Sequence, residues 1–176
     1  MDIFLVIYNY ANDGGRDKRS FLVCVASVIK NYFVSSQDSM GMEQVHIIEL
    51  TTKHDRRGNL SIIESGTTLP FEIARTYWIY DVPGGAHRTG HAFRTQHEFI
   101  VALSGSFDVI LDDGNERRRF HLCRSHHGLY IPNMMWRELD NFSTGSVAMV
   151  LSSTLYDAID YIEDYALYKK ELNRDE

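Results

Sequence analysis

The stretch GGAHRTGHAFRTQHEFIVALSG, residues 84–105, carries three histidines and one glutamate beside an apolar run. The segment from Glu98 to Ser104 is rich in Phe, Ile, Val and Leu, which is typical of a buried strand. Histidine and glutamate in such a setting can ligate a metal ion or transfer protons. The rest of the sequence has to decide which of these chemistries the stretch supports.

The composition favours a single domain without a strong electrostatic attraction to polyanions. The chain has 176 residues, 44% of them hydrophobic, which is enough for one compact core. The formal net charge is -6, so no basic field attracts nucleic acid or an anionic membrane. The two cysteines, Cys24 and Cys123, are too few for a disulfide framework and indicate a reducing, cytoplasmic location.

Residues 1–41 differ from the rest of the chain. They contain two apolar runs, MDIFLVIYNY and SFLVCVASVIKNYF, separated by a polar segment with a Gly-Gly pair. Neither run is long enough to span a bilayer, and Lys30 and Asn31 interrupt the second run before any signal-peptide cleavage site. We interpret residues 1–41 as an N-terminal extension, either helical or an artefact of the start site, and residues 42–176 as the functional domain.

From Val45 onward the sequence has the period of short strands. Runs rich in Val, Ile, Tyr and Phe are separated by Gly, Asn, Asp and Ser, and many such runs at close spacing indicate a sandwich or a barrel. The segment DDGN, residues 112–115, predicts a hairpin turn in which Gly114 supplies a positive φ. The predicted strands are VHIIEL, NLSIIES, FEIARTYWIYDV, HEFIVALSG, SFDVILDD, RRFHL, GLYIP and SVAMVLSS.

The pattern changes after Ser153. Apolar residues then recur at roughly helical spacing through residues 155–172, which predicts a short C-terminal helical segment packed on the core. The apolar positions of this pattern are Leu155, Ile159, Ile162 and Leu167. The chain as a whole is therefore predicted to be all-β, with a barrel followed by one or two helical turns.

The opening stretch also contains a recognisable spacing. It runs Gly85, five residues, His91, one residue, Phe93, four residues, Glu98, six residues, Gly105. This resembles the first motif of the cupins, with phenylalanine in place of the second histidine. The resemblance implies a double-stranded β-helix, or jelly-roll barrel. Because side chains alternate along a strand, it also places the Phe93 ring beside His91, facing the same cavity.

A metal centre is not expected in this motif. A catalytic zinc or iron site usually takes three protein ligands, and here Phe93 removes one of them. The segment GLYIPNMMWREL, where a second cupin motif would lie, has Pro132 but no following histidine. A second group of potential ligands lies in FHLCRSHHG, residues 120–128, but its spacing matches no standard zinc pattern. We interpret that segment as the end of a strand followed by a polar loop.

The chain from Met42 to about Tyr168 resembles the WxcM-like sugar-nucleotide 3,4-ketoisomerases, which are metal-independent cupins. The family motif Arg-Gly-x-His-Ala-His followed by a basic residue is matched by Arg88, His91, Ala92 and Arg94, whereas Thr89 and Phe93 depart from it. The other matching segments are KHDRRGNLSIIE, LPFEIARTYWIYDVPGG, EFIVALSGSFDVILDDG, GLYIPNMMWRELDNFS and VLSSTLYDAIDYIEDY.

The resemblance implies a reaction and a set of site residues. The substrate would be dTDP-4-keto-6-deoxyglucose, no cofactor would be needed, and the protein would be a homodimer. His91 would be the base, because an imidazole titrates near neutral pH, and Tyr77 would be a proton shuttle or a donor to the sugar oxygens. Arg57, Arg75 and Arg88 would bind the substrate, because guanidinium groups match a diphosphate.

Two other functions remain open at this point. Phe93 can neither accept nor donate a proton, so the chain could be a binding module that keeps the sugar-nucleotide pocket but has lost turnover. The 3,5-epimerase chemistry of related cupins is a weaker alternative.

Overall fold

A computed structural model describes residues 41–173 of the protein. The interpretation of residues 1–41 as an extension lies outside the described residues, apart from Gly41. The described part is mainly strand, as the sequence predicts. Its strands are β1 (His46–Glu49), β2 (Thr51–Asp55), β3 (Gly58–Ile62), β4 (Arg75–Ile79), β5 (Arg88–Phe93), β6 (Glu98–Ser104), β7 (Phe107–Asp112), β8 (Arg117–Leu122), β9 (His127–Ile131), β10 (Trp136–Asp140), β11 (Val147–Ser152) and β12 (Tyr161–Ile162).

Ten of these strands form two antiparallel sheets, which gives the predicted jelly-roll type of barrel. One sheet has the order β1-β9-β6-β11-β4 and the other has the order β12-β5-β10-β7-β8. The strands β2 and β3 form a separate hairpin. Apolar side chains from both sheets pack between them, including Ile100 of β6, Val109 of β7, Leu129 of β9 and Val150 of β11.

The predicted hairpin at residues 112–115 joins β7 to β8. Gly114 has φ 97°, the positive value that the turn signal predicts. The carboxylate of Asp112 accepts a hydrogen bond from the Gly114 backbone N–H at 2.7 Å, and Asp113 accepts from the N–H of Glu116 at 2.7 Å. The turn therefore satisfies its own backbone donors, and the arginine-rich strand β8 that follows lies at a sheet edge.

The C-terminal segment is helical over a shorter range than the sequence predicts. A single turn of 3-10 helix, Ala158–Asp160, is followed by β12 and then by the helix α1 (Tyr165–Leu172). Leu155, Ile159 and Leu167 are 72%, 79% and 39% exposed, so the predicted packing of these three residues on the core is wrong. Of the four predicted positions Ile162 is buried, because β12 extends the chain here and pairs with β5. Within residues 41–173, no helix has the length and apolar character needed to cross a membrane.

Candidate active site

A cavity of about 470 Å³ opens between the two sheets. Polar and aromatic side chains converge on it from strands that lie far apart in the sequence, as expected for a ligand site in the mouth of a barrel. The lining residues are Tyr77, Trp78, Ile79, His87, Arg88, His91, Glu98, Ile100, Arg137, Leu139, Val150 and Tyr161. Three of the five site residues predicted from the sequence, His91, Tyr77 and Arg88, are therefore brought together here.

His91 reaches the cavity from the middle of β5. It lies opposite Arg137 of β10 in the antiparallel register, so the two side chains are on the same face of the sheet. The imidazole is half-buried and lies among aromatic rings, with its centroid 4.9 Å from that of Phe93 and 5.5 Å from that of Tyr161. This position combines access to a ligand with partial shielding from water.

Phe93 is on the same strand face as His91, but its ring is not part of the cavity wall. It is fully buried, with the Arg137 guanidinium carbon 4.8 Å above the ring centroid and the Tyr161 ring 4.5 Å away. The expectation that Phe93 faces the cavity is therefore wrong. The pairing of β12 with β5 sets Tyr161 opposite Phe93, and Tyr161 takes the place at the cavity surface.

The floor of the cavity is a buried ion pair between Glu98 of β6 and Arg137 of β10. Arg137 Nη1 donates to Glu98 Oε2 at 2.6 Å, and each side chain is only 1% exposed. The guanidinium also donates to the backbone carbonyls of Met135 and Pro132, so its charge is surrounded by acceptors. A buried pair satisfied in this way holds both groups in one geometry, because either charge alone would be costly to bury.

Tyr77 of β4 is tied to the same carboxylate. Its hydroxyl donates to Glu98 Oε1 at 2.8 Å. Burial raises the pKa of Tyr77 well above its ordinary value, and the adjacent Glu98 charge raises that pKa further. Tyr77 is thus a protonated phenol that acts as a hydrogen-bond donor.

Arg75 lies behind the cavity wall. It shares a strand face with Tyr77, as the sequence predicts, and its Nη2 donates to Gln96 Oε1 at 2.9 Å. Gln96 in turn donates through Nε2 to Glu98 Oε1 at 2.8 Å. Arg75 also contacts Tyr161. Burial raises the pKa of the Tyr161 phenol, and the positive charge of Arg75 acts in the opposite direction. Arg75 therefore supports groups that line the cavity but does not line it.

The remaining two predicted arginines are exposed. Arg88, at the start of β5, lines the rim of the cavity together with its neighbour His87. Arg57 is at the turn between β2 and β3, where its side chain is 90% exposed and pairs with Asp55 at 2.9 Å. Arg57 is not among the residues of this chain that line the cavity.

Sequence analysis did not identify Arg137 and Tyr161 as site residues. Arg137 occurs in MMWREL, and its pairing with Glu98 depends on two strands that meet only in the folded structure. Tyr161 falls in a segment interpreted as a helix, where an alternation signal for β12 could not be recognised. A buried-strand pattern with a lone arginine is the signal that could have identified Arg137, because such a charge needs a partner.

The arrangement can move protons at a carbon next to a carbonyl. It offers two imidazoles, two phenols and a rim arginine, and an imidazole can act as a general base or acid, while the cavity walls are partly apolar. Phenol donors in a shielded site can stabilise negative charge that develops on an oxygen.

Comparisons with known sequences identify relatives of this chain. The family described as "FdtA: WxcM-like, C-terminal" matches residues 43–173. A protein from Aneurinibacillus thermoaerophilus named TDP-4-oxo-6-deoxy-alpha-D-glucose-3,4-oxoisomerase is 42% identical over 116 residues, which cover 66% of this chain and 84% of that protein.

Solved structures agree with this relationship. The WlaRB TDP-quinovose 3,4-ketoisomerase from Campylobacter jejuni matches with a TM-score of 0.71 at 38% identity, covering 73% of this chain and 99% of that one. The sugar 3,4-ketoisomerase QdtA from Thermoanaerobacterium thermosaccharolyticum, solved in complex with TDP, matches with a TM-score of 0.74 at 32% identity, covering 77% of this chain and 98% of that one.

Proposed function

The chain belongs to the WxcM-like family, and on that premise we propose that it is a 3,4-ketoisomerase of TDP-4-keto-6-deoxyglucose in deoxysugar biosynthesis. The observation that carries the proposal is the convergence of His91, Tyr77 and Arg88 on one cavity, in a chain whose relatives are named as 3,4-ketoisomerases. Membership of this family also favours the ketoisomerase over the 3,5-epimerase alternative.

The reaction moves one proton from C3 to C4 and a second proton from O3 to O4. A base removes the proton from C3, the electron pair forms an enediolate across C3 and C4, and a proton returns to C4. The hydroxyl proton on O3 is lost and O4 gains one, so the ketone moves from C4 to C3 without oxidation or reduction overall. One imidazole on one face of the sugar can remove the proton from C3 and return a proton to C4.

We assign the proton transfers at C3 and C4 to His91. Of the two imidazoles that line the cavity, His91 is the half-buried one and lies beside Tyr161. Tyr77 supplies the hydrogen bond to the developing oxygen charge, because its raised pKa keeps its proton in place at neutral pH. When a sugar oxygen competes for this donor, Glu98 retains its bond to Arg137, so the carboxylate is not left unpaired.

The nucleotide portion is assigned to the rim. Arg88 is exposed there and can form paired hydrogen bonds to a diphosphate. Arg75 contributes by holding Gln96 and Tyr161 in place. The role of Arg57 in substrate binding stays a prediction from the sequence.

The experiment that tests the proposal is the replacement His91→Asn. We expect turnover of TDP-4-keto-6-deoxyglucose, followed by NMR, to fall by roughly two to four orders of magnitude, which is the usual size of an acid/base contribution. Affinity for TDP should be retained, because His91 lies on the sugar side of the cavity in this assignment. The matched control is His54→Asn, whose ring is exposed on the β2–β3 hairpin.

Equal turnover in His91→Asn and the unmodified protein would remove His91 from the mechanism. A wild-type protein that binds TDP but converts no TDP-4-keto-6-deoxyglucose would instead favour the second candidate, a binding module without turnover. The observation behind that candidate is the buried phenylalanine at position 93.

We also propose that the protein is a homodimer. Among the described strands, β1 and β4 are the edges of one sheet. Two large aromatic side chains near the β4 edge, Trp78 and Tyr80, are 61% and 59% exposed. Pairing with a second copy would cover a free edge and these rings together.

A further inference from the structure

Three potential metal ligands converge on the surface at the β1–β9 end of the barrel. One ligand atom from each of Glu49, His126 and His127 lies within 4.8 Å of the other two. Across residues 41–173 this is the one group of three or more His, Cys, Asp or Glu side chains with that geometry. None of the three lines the cavity that contains His91.

The fold creates this group from segments that are far apart in the sequence. Glu49, at the end of β1, is the antiparallel partner of His127, at the start of β9, so their side chains lie on the same face. The backbone N–H of Leu50 donates to the His126 carbonyl at 2.8 Å, which fixes the chain just before β9.

The two histidines are neighbours in sequence, but only His127 belongs to a strand, so strand alternation does not separate their side chains. His126 precedes β9 and belongs to a turn closed by a hydrogen bond from the His127 N–H to the Arg124 carbonyl at 3.2 Å. The turn places the two imidazole centroids 4.3 Å apart. His127 Nε2 is 3.8 Å from Glu49 Oε1.

We propose that Glu49, His126 and His127 form a binding site for Zn²⁺ or a chemically similar divalent ion such as Co²⁺. Two imidazoles and one carboxylate are donors that zinc prefers, whereas Mg²⁺ and Ca²⁺ favour oxygen ligands alone. Three protein ligands leave the fourth tetrahedral position open to water.

The present spacing is close to that of a formed site. Zinc holds its nitrogen and oxygen ligands at about 2.0–2.2 Å, so the three atoms have to draw together by about an ångström. The side chains have the freedom to do so, because those of Glu49 and His127 are 78% and 40% exposed. Rotation about their own bonds closes the site without moving the strands.

The other potential metal ligands in residues 120–128 are not part of the group formed by Glu49, His126 and His127. His121 is held by Asp108, with Nδ1 2.6 Å from Oδ1. The third ligand comes instead from β1, which no local spacing in FHLCRSHHG could indicate. The bound ion would clamp the end of the edge strand β1 to the start of β9, separately from the proposed isomerase site.

The test is a titration of the full-length, chelator-treated protein with Zn²⁺ against a chromophoric competitor. We expect one ion per chain. Each of Glu49→Gln, His126→Asn and His127→Asn should weaken the affinity at least about tenfold. The matched control variant is His121→Asn, which should bind zinc as the unmodified protein does. Far-ultraviolet circular dichroism checks that each variant is folded.

Co²⁺ provides a second readout that does not depend on the competitor. A site of two imidazoles, a carboxylate and water should give visible d–d bands that the three ligand variants lose. Failure to bind one zinc ion per chain, or unchanged affinity in the ligand variants, overturns the proposal. A thiolate-to-cobalt charge-transfer band also overturns it, because the ion would then be held by Cys24 or Cys123.

Discussion

Phe93 lies behind the wall of the cavity that contains His91, the proposed base. The ring is buried between Arg137 and Tyr161, and its centroid lies 4.9 Å from that of the His91 imidazole. The resemblance to the WxcM-like family implies a second imidazole at this position. The guanidinium of Arg137 therefore rests on an aromatic face, an arrangement that cation–π attraction favours. A phenylalanine at this position offers no polar atom that could hold the His91 imidazole in place.

Phe93→His tests whether the lack of a polar atom there limits catalysis. We expect turnover to rise at least about tenfold, which corresponds to about 1.4 kcal/mol of barrier, because an imidazole in contact with the His91 ring can exchange a proton with it from behind the cavity wall. The free energy of unfolding should fall, since a polar ring replaces a buried apolar one. NMR turnover and urea denaturation measure the two effects. Slower turnover in the variant would mean that Tyr161 and Tyr77 already supply the relay.

His97 is the residue that should make stability depend on pH. Its Nδ1 is 2.8 Å from the Tyr130 hydroxyl, and Phe71 stacks on it. Burial lowers the pKa of His97 below its ordinary value, and the positive charge of Arg137 adds to this. The unfolded chain therefore takes up a proton, at a pH of about 6.5, before the folded protein does.

Stability should consequently be lost as the pH falls from about 6.5 toward the lowered pKa of folded His97, with a slope of at most about 1.4 kcal/mol per pH unit. Urea denaturation at pH 7.5 and pH 5.5 measures this loss. His97→Gln keeps a polar group near Tyr130 but cannot titrate, so it should lose less stability than the unmodified protein. His54→Gln, at an exposed position, should behave like the unmodified protein. Equal losses in both variants would contradict the assignment.

At the scale of an element, β9 depends on one glycine for its packing against β6. A Cβ built on Gly128 would lie 1.9 Å from Cζ of Phe99, whose ring is fully buried. Neighbouring strands can place a large aromatic ring directly over a backbone only where no side chain intervenes. Gly128 thus sets the position of the strand that carries His127 and Tyr130.

Gly128→Ala should therefore destabilise the fold by about 1–3 kcal/mol, the usual cost of overpacking a core. The free energy of unfolding in urea measures this effect. Gly84→Ala is the matched control, because a Cβ at Gly84 has no neighbour within 4 Å. If both variants were as stable as the unmodified protein, Phe99 would have room to move and the steric argument would fail.

At the scale of the whole molecule, the proposed homodimer follows from the sheet edges. Sedimentation at micromolar concentration should give the mass of two chains. Trp78→Glu should shift the equilibrium toward monomer, because a charge would be buried at the β4 edge. Leu103→Glu, at an exposed position of the central strand β6, is the matched control. A wild-type protein that sediments only as a monomer would contradict the proposal.

Local patterns in the sequence predict the fold class, most of the strands, the β7–β8 turn and the strand face shared by Arg75 and Tyr77. These features follow from local rules, namely side-chain alternation and the positive φ of Gly114. The resemblance to the WxcM-like family implied His91 as a candidate base, and the structure places this residue in the cavity.

The contacts between residues that are distant in sequence could not be predicted and are seen in the folded sheets. The register between strands placed Arg137 against Glu98, put Tyr161 rather than Phe93 at the cavity surface, and brought Glu49 to the two histidines of the β9 turn. Such contacts depend on long-range pairing that local periodicity does not encode. The physical reason is that a buried charge or a potential ligand is satisfied by whichever group the neighbouring strand presents, wherever that strand lies in the sequence.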